Sequence, residues 1–191
     1  SQAIVGLSGV PVVGDVWKVI VDDVKYSLQV TAGNRTQAKI ARGLARAING
    51  EIEGSGVIRD TVGGETGLES YLNATVTLDG AVYEGQVWSI KLNDTVYTYT
   101  ASAGDILNNV AAGLSATVAL GGYTSEFNDN TFSVVHADTV FSAEVAVTAG
   151  VSSAVNAEAI VDLLGNSRIR LDAATPGTYL GNEANPGAWT Q

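Results

Sequence analysis

The sequence predicts an α+β, β-rich fold built from two duplicated β-hairpin-plus-helix units with additional antiparallel strands. Three observations carry that reading: an internal repeat, a composition weighted towards Val, Thr and Gly, and a stretch of helical periodicity behind each hairpin. The 191 residues suffice for one large domain or two small ones, and 46% of them are hydrophobic, enough for a core. The 22 glycines punctuate the chain as turns between short strands would.

The repeat sets residues 14–33 against residues 85–104. Gly14/Gly85, Val16/Val87, Trp17/Trp88, Asp23/Asp94, Tyr26/Tyr97, Ala32/Ala103 and Gly33/Gly104 coincide at one offset. After a one-residue slip, Ala41/Ala111, Gly43/Gly113 and Leu44/Leu114 align as well. A Trp, a Tyr and paired glycines in register point to duplication.

Taken in order, residues 1–13 are apolar and read as an N-terminal arm, with Ile4, Val5 and Leu7 as candidate contacts to a neighbouring copy. Residues 14–78 form the first unit. Its strands, 16–21 and 24–30, meet at Asp22-Asp23, and Asn93-Asp94 takes that place in the second unit. Both residue types tolerate the positive φ of two-residue hairpin turns. Ile40, Ala41, Leu44, Ala47 and Ile48 recur at helical spacing, and Asn49-Gly50 stops that helix.

Residues 79–182 form the second unit with closing strands. Tyr97 and Tyr99 face one way and the neighbouring threonines the other. Ile106, Leu107, Val110, Ala111, Leu114 and Val118 predict a second helix, capped by Asp105 or Ser102 and ended by Gly121-Gly122. Strands are expected at 71–78, 124–127, 131–137, 141–148 and 167–173, and a short helix at 154–164. Residues 183–191 read as a C-terminal arm whose Trp189 needs a surface to dock on.

The runs Gly14-Asp-Val-Trp17, Tyr26-Ser-Leu-Gln-Val-Thr-Ala-Gly33 and Ile40-Ala-Arg-Gly-Leu-Ala-Arg-Ala-Ile-Asn49 resemble a recurring module of bacteriophage tail and other virion proteins. They are also similar to repeats of large bacterial surface and secreted proteins. Residues 168–182 look like that module's closing strand and turn, which occurs here once. The resemblance implies hairpin, helix and strands in series, and specifies a fold unit more than a function. Tyr97-Thr-Tyr-Thr-Ala-Ser-Ala-Gly-Asp-Ile-Leu-Asn-Asn-Val-Ala111 also resembles the opening of LysM carbohydrate-binding modules. Those continue into a second helix, whereas residues 131–148 read as strands.

Charge and composition remove several function classes. No cysteine means no disulfide and no thiolate metal site. A net charge of −10 opposes binding nucleic acid through its phosphates. No stretch approaches the ~18 apolar residues of a membrane span. With neither a Met at position 1 nor a basic, then apolar opening, Ser1 is expected to follow a removed Met or a cleaved leader.

One histidine, His136, lies in an alternating run, and no nucleophile elbow, phosphate loop or zinc signature occurs, so an enzyme is not expected. Asp22-Asp23, Asn93-Asp94 and Asn128-Asp129-Asn130 carry oxygens that would suit Ca²⁺. None fits a calcium loop, turn chemistry accounts for them, and no cofactor is expected.

Arg35, Lys39, Arg42 and Arg46 fall on one face of the first helix, a basic stripe on an acidic protein. The plain reading is a solvated face; the functional one is a docking stripe that sets register against a neighbouring copy. The expected function is a structural subunit that assembles with copies of itself into a virion or extracellular polymer, in the first place a phage tail or capsid surface. Alternatives are a secreted prokaryotic surface or filament protein and a LysM-like glycan-binding module.

Overall fold

The computed structural model describes residues 2–51, 54–150, 155–173 and 179–180. In chain order the elements are β1 (Gln2–Gly6), β2 (Val16–Val21), β3 (Val24–Gln29), α1 (Gln37–Ile48), β4 (Ser55–Asp60), β5 (Asn73–Asp79), β6 (Ala81–Tyr83), β7 (Val87–Leu92) and β8 (Thr95–Thr100). After them come α2 (Leu107–Leu120), β9 (Phe127–Asn128), β10 (Thr131–Val135), β11 (Ala143–Thr148), β12 (Val155–Val161), β13 (Ser167–Ala173) and β14 (Tyr179–Leu180). The fold is α+β and β-rich, with antiparallel sheets ordered β1-β13-β12, β4-β5-β10-β9, β11-β7-β8 and β14-β2-β3-β6.

Turn chemistry sets the hairpins. Asp22 and Asp23 hold φ of 49° and 65°, Asn93 holds 52°, and Asp129 holds 55° between β9 and β10. Alternation then gives each sheet one inner face: β2 buries Trp17, Val19 and Val21, and β7 buries Trp88, Ile90 and Leu92.

The Thr36 hydroxyl caps α1 by accepting from the Lys39 amide at 3.3 Å. The helix ends where Gly50 takes a φ of 73° and the Glu51 amide donates to the Arg46 carbonyl at 2.9 Å. Neither Ser102 nor Asp105 caps α2. The Asp105 carboxylate turns back to accept from the Ser102 amide and the Tyr99 hydroxyl, and Asn109 Oδ1 accepts from the Ile106 amide at 3.0 Å.

The packing makes two cores. In the first, α1 lies between the sheet of β2 and β3 and the sheet of β12 and β13, burying Ile40, Leu44 and Ile48. In the second, α2 lies between the sheet of β7 and β8 and the sheet of β5 and β10, burying Leu107, Val110 and Leu114. A glycine admits the close approach of strand to helix in each. A Cβ on Gly43 would meet Leu28 Cδ2 at 3.0 Å, and one on Gly113 would meet Tyr99 Cδ2 at 2.0 Å.

Strand β6 joins the cores. Ala81 and Tyr83 enter the first and Val82 enters the second, all at or below 1% exposure. The Ser27 hydroxyl adds bonds from β3 to the Val82 carbonyl at 3.2 Å and to the Asp105 carbonyl at 2.5 Å.

Three expectations need correction. Residues 155–161 form strand β12, not part of a helix: Val155 and Ala157 are buried, Asn156 and Glu158 exposed, and pairing with β13 overrides the helical preference of Ala and Glu. Residues 2–6 are not a free arm but strand β1, paired with β13 from Gln2↔Asp172 to Gly6↔Arg168. The cores also ignore the boundaries 14–78 and 79–182. Strands β4 and β5 belong with the second core, while β12 and β13 return to the first.

The turn of the β12–β13 hairpin is organised by Asp162. Its carboxylate accepts from the Asn166 side chain at 3.0 Å, from the Asn166 and Leu164 amides at 2.8 and 2.9 Å, and from Arg168 Nε at 2.9 Å. These bonds, Asn166 foremost, lower its pKa from 3.8 to about 2. A lowered carboxyl pKa stabilises the folded state above the unfolded value, and that stabilisation disappears as pH falls through the folded one. The Asp162 carboxyl should therefore titrate near pH 2 by NMR, and Asp162→Asn should lose less thermal stability than wild type between pH 4 and 2.

The two glycine contacts predict unequal responses. Gly113→Ala should destabilise by about 1–3 kcal/mol in chemical denaturation, because the Tyr99 ring must move. Gly43→Ala should be close to neutral, since the Leu28 methyl can yield and alanine favours the helix by roughly 0.5–1 kcal/mol.

Candidate functional site

The four basic residues of the predicted stripe are all exposed, Arg35 just before α1 and the others along it. Two have local partners. Lys39 Nζ donates to the Gly33 carbonyl at 2.8 Å, and Arg46 pairs with Glu51 at 2.7 Å. Arg35 and Arg42, two turns apart, form no ion pair among the described residues. In Coulomb terms these two can attract a partner's carboxylates without first breaking a contact.

The N-terminal candidates are divided by β1. Val5 is 4% exposed and fills the first core, Leu7 packs against that core, and Ile4 is half-buried. Trp189 and the arm 183–191 lie outside the described residues.

Sheet order reveals two features that the sequence reading missed, both open strand edges. In the β7–β8 hairpin, Leu92↔Thr95 closes a two-residue turn, so Thr95, Tyr97 and Tyr99 bond to β7. The backbone groups of Val96, Thr98 and Thr100 then point outward, where no described strand pairs with them. The same side of β3 is covered by β6, through Ser27↔Val82.

The second edge is β1. The Leu7 amide donates to the Ser167 carbonyl at 3.1 Å, so by alternation Gln2, Ile4 and Gly6 point their backbone groups away from β13.

Charge distinguishes these edges from β4, β11 and β12, and length from the short uncharged edges β6, β9 and β14. Neither β1 nor β8 contains a charged residue. By contrast, β4 carries Arg59 and Asp60 and is bridged at Thr66, β11 carries Glu144, and β12 carries Glu158. The Asn49 side chain also caps β12, exchanging two bonds with the Ala157 backbone at 2.9 and 2.7 Å. Charges and caps are the ordinary means of stopping edge-to-edge pairing, and β1 and β8 lack them.

Strand β8 is also held rigid from behind. Tyr97 and Tyr99 lie against α2 at Gly121 and Gly113, and the Tyr99 hydroxyl donates to Asp105 at 2.7 Å. Burial first, then that bond, pushes the Tyr99 phenol up to about 12.

His136 sits among aromatic rings. Its imidazole meets Tyr123 edge-on at 5.4 Å, and its Nδ1 is buried without a partner among the described residues. No group of three or more His, Asp or Glu side chains gathers as a metal centre among the described residues. No described helix is long and apolar enough to cross a membrane. Comparison with protein-family models, curated proteins and solved structures finds no match to this chain.

Proposed function

We propose that this chain is a non-catalytic structural subunit that polymerises with copies of itself by strand addition. The observation that carries the reading is the pair of uncharged open edges, β1 on the first body and β8 on the second. Each presents three residues whose outward backbone donors and acceptors have no strand partner among the described residues. Pairing β1 of one copy with β8 of the next joins unlike surfaces, and such a contact extends head to tail. Each backbone bond contributes about 0.5–1.5 kcal/mol net, so side-chain burial must supplement the ladder. Arg35 and Arg42 would set orientation against a neighbour's carboxylates.

The two bodies are read as products of a duplication. Its support is the repeated sequence together with matched packing: Leu28 against Gly43, and Tyr99 against Gly113. A phage tail or capsid surface is the setting we favour, and a prokaryotic surface filament would use the same contacts. The glycan-binding alternative is weaker, because β9 and β10 follow α2 where a LysM module has a second helix.

Proline removes the outward N–H at an edge and leaves the inward ladder intact. Thr98→Pro and Ile4→Pro should each abolish polymers seen by sedimentation and negative-stain microscopy, with circular dichroism unchanged. Mixed together, the two variants should form dimers and nothing longer, because each retains one working edge. A wild-type chain that stays monomeric at high concentration would refute the reading, as would an Ile4→Pro variant that still polymerises.

A further inference from the structure

We propose that the cleft between the two bodies, lined by Gln29, Thr31, Asp79, Asp129 and Asn130, is a binding site for a hard divalent cation, best suited to Ca²⁺. The cleft has a volume of about 330 Å³, with room for an ion that keeps several waters. It lies where the end of β3 meets the end of β5 and the β9–β10 turn.

Two carboxylates, those of Asp79 and Asp129, line it. The register Thr131↔Thr77 continues through the Leu78 amide, which donates to the Asn130 carbonyl at 2.8 Å. Asp79 ends β5, where it pairs with Ser55 of β4, and Asp129 occupies the β9–β10 turn at a φ of 55°. Like charges lining one cleft repel each other unless a cation screens them.

Only neutral donors compensate them among the described residues. Gln29 Nε2 donates to both Asp129 oxygens at 2.9 Å, and Asp79 accepts from the Gly80 amide at 2.8 Å and from the Thr31 hydroxyl at 3.5 Å. Among the described residues, no Lys or Arg comes within ion-pair distance of either carboxylate.

Gln29 gives the independent indication of a ligand. It lines the same cleft at 4% exposure, and its Oε1 is buried without a hydrogen-bond partner among the described residues. A buried carbonyl oxygen that lacks a donor costs about 1–3 kcal/mol. A cation beside the carboxylates would satisfy that oxygen and cancel the repulsion together. The available set of carboxylate, amide and hydroxyl oxygens, without nitrogen or sulfur, is that of Ca²⁺. Having fewer than three carboxylates, such a site should bind on the order of 10⁻⁴–10⁻³ M. Because Gln29 and Thr31 come from one body and Asp79 and Asp129 from the other, the ion would fasten the two together.

The test is thermal unfolding and calorimetric titration of the full chain with CaCl₂, MgCl₂ and EDTA. Wild type should melt several degrees higher in millimolar Ca²⁺, fall back on chelation, and respond less to Mg²⁺. Asp129→Asn suits the positive φ of its turn. It and Asp79→Asn should bind Ca²⁺ at least tenfold more weakly and lose the rise in melting temperature that Ca²⁺ gives wild type. Absence of a Ca²⁺ response at 10 mM would overturn the proposal. So would an equal response to Mg²⁺, or one unchanged in both variants. The result does not depend on whether the chain polymerises, since Thr98→Pro should bind Ca²⁺ as wild type does.

Discussion

Strand β6 is the constraint on which the rest of the molecule depends. Its residues are Ala81, Val82 and Tyr83, and strict alternation sends the outer two into the first core and the middle one into the second. Burying a side chain such as Val82 is worth about 1.5–3 kcal/mol, and here that term ties the second core to a strand hydrogen-bonded in the first body's sheet. The chain crosses between bodies on both sides of this seam. Strands β4 and β5 leave α1 to complete the sheet over α2, and β12 and β13 come back to complete the sheet over α1. The first core therefore cannot be assembled from a contiguous piece of chain, whereas the second draws on residues from Ile58 to Val147, with β6 among them.

Local structure was legible where short-range chemistry decides it. Both hairpins follow from Asp22-Asp23 and Asn93-Asp94, both helices from their apolar spacing, and the closing strand from 167–173. What failed was longer in range. The stretch 154–164 contains good helix formers, and only its partner β13 makes part of it a strand. The N-terminal residues read as an arm because no local signal reveals a partner some 160 positions away; Val5 pairs with Ile169. The unit boundaries failed for the same reason, since periodicity says what a strand buries but not which core it joins.

The surfaces divide in the same way. The stripe of Arg35, Lys39, Arg42 and Arg46 needs only helical spacing to be seen. The open edge of β8 needs sheet order, because the equivalent edge of β3 is covered. The cleft joins positions 29, 31, 79 and 129, which no motif links. On the proposed reading, in a chain of net charge −10, uncharged edges and arginines without an ion pair among the described residues are where copies would meet without strong repulsion. The proposed polymer would need a rigid link between the bodies, because β1 lies on one body and β8 on the other, and regular addition requires a fixed angle between them.

The measurement that bears most directly on this is segment-resolved hydrogen exchange of wild type and Val82→Ala. If β6 locks two cores into one cooperative body, the slowest amides of β3 and of β7 will report the same opening free energy. The substitution, although its side chain lies in the second core, will lower both by the same amount. Loss of protection confined to β5, β7, β8 and α2, with the first body untouched, would contradict the account.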